Sequence, residues 1–503
     1  MPSTAIVAPC KGSSRQKRAL CLTSQLRTYP ASNPSSKEDK LLVSPKIFKN
    51  CHYLPTEASA ALERMGHKQE LKRSFSMVSM LGLAFAILNS WTALAASINL
   101  ALPSGGPSSV IWGFMVAGIC NLALAASLAE FLSAYPTAGG QYHWAAIVSW
   151  KRVSRGVSYV TGWISVSGWV ALSATGGLLA SQFIMDIMFL LHPKYKAEPW
   201  HQFLLYTTVT LVALAINTFL TRLLPYLTKA AFFWRLRLDW KGFDATAHMI
   251  EEIPEPHVQG PKIMIYCILI GMVTGFIFLS CILFCVTDVE RVIVSPRGPL
   301  LELFMQATGN AAGSTCLVMF PLICVLFAVT SIMCTSSRMT WAFARDNGLP
   351  FSATFAKVHP RLNLPLNALL WTTAWVIMFG FVLLGSSVAL SAITAASVVA
   401  LGITYAIPPT INCLRLRRAL PENRAFKLKG ATGWVLNMIG IFWTILTTVL
   451  FEPLGWLAAQ HFGRFRRVGR KDRAMNSHLC WPRWVAPSVS CASSKLMRMN
   501  AGI

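Results

Sequence analysis

Two polar residues, Asn89 and Ser90, interrupt a long apolar run. Side chains of both types compete for backbone hydrogen bonds and can open a helix. An opening inside a membrane leaves N–H groups that attract a carboxylate and C=O groups that receive an ammonium. Ala86, Ile87, Leu88, Asn89 and Ser90 are therefore candidate substrate-binding residues. An unbroken helix with a satisfied Asn explains the same residues, and spacing alone favours it.

A second candidate lies at Phe243 and Asp244, in the segment GFDATAHM (242–249). An acidic residue inside a membrane is expensive and is a functional hypothesis by default, here as a cation ligand or a proton relay. Solvation at the interface explains Asp244 equally well. Glu251 and Glu252 follow, and we expect them to form a solvated helix end near the cytoplasmic face.

Candidate gating residues surround a predicted turn at 136–140. Glu130 ends an apolar run just before it, and we expect this carboxylate to pair with a basic loop residue and lock a cytoplasmic gate. Gly139 and Gly140 permit a tight turn or a close backbone approach. Asp186, near the outer end of another run, is expected to reach water.

Motifs for other chemistries are absent from the sequence. There is no GxxxxGK[ST], HExxH, GxSxG or EF-hand loop, so ATP-driven pumping and the common hydrolase and metal sites have no support. The 13 cysteines include no CxxC pair, which argues against a zinc or disulfide framework. His143 and His248 lack ligand-spaced partners and are expected to be structural. We predict no cofactor, no metal, no nucleic acid partner and no enzymatic activity.

The elements that position these residues are membrane helices. The chain is 54% hydrophobic and only 13% charged, and its apolar residues come in runs long enough to span a ~30 Å bilayer core. No β-barrel alternation is visible, so the predicted class is an all-α membrane protein. The nine predicted spans are 76–98, 108–130, 157–191, 202–220, 262–287, 312–335, 366–384, 390–412 and 433–451.

Charge predicts the organisation and the orientation. The net charge is +25, and much of it lies in two basic tails, 1–75 and 453–503, flanking a transmembrane domain at 76–451. Basic residues also concentrate in alternate loops, which by the positive-inside rule places the N-terminus in the cytoplasm. Four charges at 235–241 interrupt the apolar stretch 226–253, so we expect an interfacial, re-entrant or damaged element there.

Several polar and apolar motifs occur in an order that resembles the fungal amino-acid/choline transporter family of the amino acid–polyamine–organocation superfamily. They are FAILNSWTALAAS (85–97), LPSGGP (102–107), SLAEFLSAYPTAGGQYHW (127–144), GFDATAHMIEEIPEPHVQGPKIM (242–264), AFARDNGLPFSATFAKVHPRLNLPLNAL (342–369) and ITAASVVALGITYAIPPTIN (393–412).

The resemblance implies twelve helices in a leucine-transporter-type fold, in which two five-helix repeats are related by inversion. The substrate would sit near the midplane, where the family's helices one and six are broken, and this now favours a break at 86–90. This chain departs from the family twice. The end of helix five and the outer half of helix six are expected to be missing around 235–241, and a basic tail stands where the twelfth helix is expected.

The sequence therefore predicts a multi-pass plasma-membrane permease for amino acids or related amines such as GABA or choline, working as a proton symporter. The alternative is a truncated or mis-spliced member of the same family that does not transport.

Overall fold

The computed structural model describes residues 70–71, 76–88, 94–95, 98–192, 194–196, 198–220, 245–295, 297–385, 387–422 and 424–449. Within these ranges the chain is almost entirely helical, which confirms the predicted all-α class. The main helices are α1 (Met77–Leu88), α2 (Gly106–Ala134), α3 (Gln141–Val148), α4 (Ser154–Leu191), α5 (Pro199–Phe219), α6 (Pro256–Phe284), α7 (Pro299–Thr308), α8 (Ala311–Arg345), α9 (Leu366–Gly385), α10 (Ser387–Leu414) and α11 (Gly430–Val449).

Shorter elements connect them. Helical turns lie at Ile98–Ala101, Ala245–His248, Val289–Val294 and Ser352–Phe355, and 3-10 turns lie at Leu102–Ser104 and Ile250–Glu252. The predicted domain boundaries at 75 and 453 and the junction at 235–241 fall outside the described residues and stay predictions.

Local sequence sets where the helices begin. A proline in the first turn opens α2, α5, α6 and α7, because its fixed φ suits the helix and its missing N–H is not needed there. At the start of α8, the Asn310 side chain accepts a 3.0 Å hydrogen bond from the Ala312 amide. This cap satisfies one of the N–H groups that a helix start leaves free.

Eight described helices are long and apolar enough to cross a membrane. They coincide with the last eight predicted spans, and the first predicted span, 76–98, is described only in part. The boundaries differ most at α8, which runs on to Arg345 although its predicted span ended at 335. The helix continues through Arg338 and Arg345 because both guanidinium groups are paired inside the protein.

Small residues bring the helices close together. A Cβ at Gly118 of α2 would stand 2.5 Å from the Met272 side chain of α6, and one at Gly275 of α6 would stand 2.5 Å from Phe114 of α2. The two helices therefore fill each other's glycine gaps reciprocally. Without a hydrophobic force between helices in lipid, such close packing is a main source of association.

The buried core consists of two clusters, and α4 and α8 run through both. Trp169 of α4 and Ile332 of α8 belong to the first cluster, while Phe183 and Val325 belong to the second. The same two helices pack against each other along their length. Of the two, α8 is the helix on which α1 and the short helix Ala245–His248 pack.

Candidate functional site

We call the predicted substrate-binding residues, 86–90 together with Phe243 and Asp244, the substrate wall. The described part of this predicted wall is buried. Ala86 and Ile87 are 0% and 9% exposed near the end of α1, and α1 packs against α6, α8 and the short helix Ala245–His248. Leu88 is the last residue of α1. The structure thus brings together the segments that carry the two predicted halves of the wall.

The remaining substrate candidates, Asn89, Ser90, Phe243 and Asp244, lie outside the described residues. Their role, and the predicted break after α1, stay predictions.

Glu251 and Glu252 are buried ion-pair partners, so the expectation of a solvated helix end was wrong. Glu251 and Glu252 are only 5% and 4% exposed. Glu252 accepts a 3.0 Å bond from Arg338 Nε, and Arg345 holds both oxygens of Glu251 at 3.1 and 3.2 Å. Paired guanidinium groups make burial of these carboxylates possible, since an unpaired buried charge is very costly.

Glu130 is fully buried and pairs with two basic residues of the loop that follows α10. Arg417 Nη2 lies 2.9 Å from one Glu130 oxygen, and Arg424 Nη2 bonds the other. The Leu428 amide donates to the same carboxylate at 3.0 Å. The position of the Arg417 guanidinium also depends on Gly433, where a Cβ would stand only 2.2 Å from it.

The turn at Gly139–Gly140 lies directly against the helix that carries His248. Gly140 has φ +56° and ψ −124°, a conformation that residues with a Cβ rarely adopt, and a Cβ there would stand 3.1 Å from the His248 ring. Backbone groups of Ala138 complete the contact. The Ala138 amide donates to Glu251 at 3.1 Å, and its carbonyl accepts from His248 Nδ1 at 3.1 Å.

Further hydrogen bonds extend the same connections. Ser133 donates to the His257 carbonyl at 3.1 Å and accepts from the Phe426 amide at 2.9 Å, joining α2, α6 and the loop after α10. Tyr142 of α3 donates to Asp346 at 2.9 Å. Burial first, and then the neighbouring Asp346 carboxylate, raises the pKa of Tyr142 well above its ordinary value, so the phenol remains a donor.

We call the seven charged residues of this region the ion-pair cluster: Glu130, Glu251, Glu252, Arg338, Arg345, Arg417 and Arg424. Charge-assisted bonds of this kind are roughly twice as strong as neutral ones, and the fork of an arginine fixes their geometry. The cluster fastens the 245–252 segment to α8 and the end of α2 to the loop after α10. If the two elements of either pair separate, several of these bonds must break together.

Two other predicted residues occupy structural positions. Asp186 is 7% exposed rather than reaching water, because its carboxylate lies against Gly298, where a Cβ would stand 2.2 Å away. His143 bonds Thr137 at 2.9 Å within the turn. Among the described residues no group of His, Cys, Asp and Glu has a geometry that would hold a metal ion.

Comparison with known proteins identifies the family. The amino acid permease family matches residues 75–235 and 239–459, a match that is interrupted within the charged segment singled out above. A Macrophomina phaseolina protein named for amino acid/polyamine transport is 30% identical over 425 residues, covering 74% of this chain and 93% of that protein. The choline transporter of Saccharomyces cerevisiae is 27% identical over 435 residues, 76% of each chain.

Among solved structures, Mhp1, a nucleobase-cation-symport-1 family transporter, is similar with a TM-score of 0.41 and 14% identity, over 78% of this chain and 96% of that one. The family and its named relatives are transporters rather than enzymes, and the helices described above are those of a multi-pass membrane protein. The chain belongs to the amino acid permease family of membrane transporters.

Proposed function

We propose that this protein is a secondary active transporter of amino acids or related amines, such as GABA or choline, in the plasma membrane. The observation that carries the proposal is the ion-pair cluster, in which Glu251 and Glu252 follow the predicted substrate residue Asp244 by seven and eight positions and bind α8. Relatives named for amino acid/polyamine and choline transport support the substrate class.

In this proposal the substrate binds at 86–90 and at Phe243 and Asp244, between two inverted five-helix repeats. Glu130 and the Gly139–Gly140 turn belong to the cytoplasmic gate. Glu130 bonds the loop after α10, and the turn rests on His248. Opening toward the cytoplasm would separate α2 from this loop and the 245–252 segment from α8. Because each connection is multiple, the gate would open as one step rather than gradually.

The proposal also includes proton coupling and a cytoplasmic N-terminus. A proton-coupled transporter draws on the pH gradient across the plasma membrane, and Asp244 is the predicted proton or cation site. The basic tail at 1–75 supports the orientation, since basic segments are retained on the cytoplasmic side.

The test is uptake of labelled GABA, choline and neutral amino acids in a transport-deficient fungal strain that expresses the full chain. We expect saturable uptake of at least one substrate, abolished by a protonophore. Absence of uptake of all of them, with the protein shown at the plasma membrane, would overturn the proposal. Uptake that persists with the protonophore would overturn the coupling alone.

A second candidate is a non-transporting member of the family. It is favoured by the interruption of the family match between 235 and 239, within the segment 235–241 that carries Arg235, Arg237, Asp239 and Lys241. Sequencing the transcript across codons 230–245 separates the two candidates. An in-frame apolar segment that is absent from this chain would restore the transporter, whereas a transcript that encodes this junction would favour the second candidate.

A further inference from the structure

The start of α4 carries positive charge that no acidic side chain of the described residues balances. Lys151, Arg152 and Arg155 are exposed, and no ion pair joins any of them to a carboxylate within the described part of the chain. The sequence places no Asp or Glu between Glu130 and Asp186. Because neighbouring cations repel one another, this arrangement favours an anion that comes from outside the chain.

The helix start itself adds to this preference. No side chain caps α4 at Val153, and the free N–H groups of a helix N-terminus give it a partial positive charge. Cations are therefore unfavourable in this turn, whereas a phosphate group is favourable. There is space for such a group, because Gly156 is exposed and a Cβ there would meet nothing within 4 Å.

A second basic segment adjoins this helix start. Arg415, just after α10, donates a 3.0 Å hydrogen bond from Nη1 to the Val148 carbonyl at the end of α3, and α3 packs against both α4 and α10. Arg418 follows within one turn, and its amide donates to the Arg415 carbonyl at 3.1 Å. Arg418 is also exposed, and no Asp or Glu lies between Asp346 and Glu422 in the sequence. The two basic segments therefore form one surface.

Exposed apolar side chains accompany these cations. Trp150 is 50% exposed directly before Lys151, and Leu414 and Leu416 are 65% and 62% exposed on either side of Arg415. In a multi-pass membrane protein, apolar side chains exposed at helix ends contact the boundary between lipid chains and headgroups, where Trp is enriched. The cations next to them therefore lie at the depth of the lipid phosphates.

We propose that the start of α4 and the turn after α10 bind the headgroup of an anionic phospholipid of the cytoplasmic leaflet. The four cations of this site are Lys151, Arg152, Arg155 and Arg418. The lipid phosphate accepts hydrogen bonds from these side chains and faces the free N–H groups of α4, while the lipid chains contact the exposed apolar residues. The site lies outside the predicted substrate wall, so this inference goes beyond the proposed function.

The test measures the thermal unfolding temperature of the purified full-length protein in detergent with added phosphatidylserine or phosphatidylcholine. A lipid that binds the folded protein better than the unfolded chain raises this temperature. We expect phosphatidylserine to raise it by at least about 3 °C more than phosphatidylcholine does. Arg152→Gln combined with Arg418→Gln removes two of the four cations. We expect this double variant to lose about half of the difference or more, because each cation near the headgroups contributes a similar amount.

Lys357→Gln combined with Arg361→Gln is the matched control. Both residues are exposed in the loop between α8 and α9, neither has an ion pair among the described residues, and the two substitutions remove the same net charge. We expect this variant to keep the full difference between the two lipids. The basic tails are the same in every variant, so their attraction to the lipid cancels in the comparison. Equal losses in the two double variants would show a general attraction to basic loops and would overturn the site.

Two further results would overturn the proposal. One is a wild-type protein that responds equally to the two lipids. The other is an equal response to glycerophosphoserine, the headgroup without its chains, which would assign the surface to soluble phosphate esters instead. If Arg152→Gln combined with Arg418→Gln does not yield folded protein, Lys151→Gln combined with Arg155→Gln is judged by the same criteria. Substrate uptake is not measured in these experiments, so their failure leaves the proposed function standing.

Discussion

At the scale of single residues, the buried charges carry the strongest prediction. Glu252 and Arg338 have side chains only 6% and 4% exposed and lie 3.0 Å apart. Glu252→Gln keeps the shape of the side chain but leaves the Arg338 charge uncompensated in the interior. Removing one partner of a buried pair costs about 3–5 kcal/mol. We therefore expect a large drop in the thermal unfolding temperature of the purified protein.

The pair formed by Asp288 and Arg291 is the natural control for this prediction. It has the same 3.0 Å separation, but its side chains are 42% and 76% exposed. Asp288→Asn retains an N-cap for the helix Val289–Val294, and an exposed pair contributes about 1 kcal/mol or less. Equal drops in unfolding temperature for Glu252→Gln and Asp288→Asn would show that burial does not increase the contribution of an ion pair to stability.

The same residues show what sequence could and could not predict about the site. Pairing of Glu130 with a basic loop residue was predictable from its position, but six basic residues follow α10 and nothing in their spacing singles out Arg417 and Arg424. Glu251 and Glu252 were wrongly expected to be solvated. Their partners lie 94 and 86 residues further along the chain, and such long-range pairing leaves no local signal.

At the scale of elements, apolar runs predicted the eight described spans well because membrane helices need length and hydropathy alone. They predicted the ends less well. α6 begins at Pro256 rather than 262, and α8 continues ten residues past 335. In α8 the extension carries Arg338 and Arg345, whose charges are paired with Glu252 and Glu251, so this helix outlasts its apolar pattern.

The turn before α3 gives an element-scale prediction. Gly140→Ala places a Cβ at φ +56° and 3.1 Å from the His248 ring, which combines backbone strain of about 1–2 kcal/mol with a steric contact. We expect a lower unfolding temperature. The turn is expected to lose its fit against Ala247 and His248, which would also disturb the Ala138 bonds to Glu251 and His248.

Gly156→Ala in the first turn of α4 is the matched variant. A Cβ there meets nothing within 4 Å, and Ala is favoured over Gly in a helix by up to about 1 kcal/mol. We expect it to leave the unfolding temperature unchanged or slightly raised. Similar melting curves for the two variants would mean that the close approach at Gly140 contributes nothing to the packing of this turn.

At the scale of the whole molecule, the buried ion pairs and the basic loops lie at the same ends of the helices. The ion-pair cluster joins the end of α2, the end of α8 and the loop after α10, and the loops beside these ends are rich in Lys and Arg. Basic loops remain on the cytoplasmic side of a membrane. The ion-pair cluster and the basic loops therefore belong to the same face, and this supports assigning the cluster to the cytoplasmic gate.

That assignment predicts which loops reach the exoplasmic side. The sequence has no Asn-X-Ser/Thr acceptor free of proline, so an added one gives an unambiguous signal in a fungal host. An acceptor in a flexible insertion after exposed Asn310, between α7 and α8, should be glycosylated and shift the mass of the protein on a gel. The same insertion after exposed Arg361, between α8 and α9, should not. The reverse pattern would place the ion-pair cluster on the outer face, and the gate would then control entry of substrate from outside instead of its release into the cytoplasm.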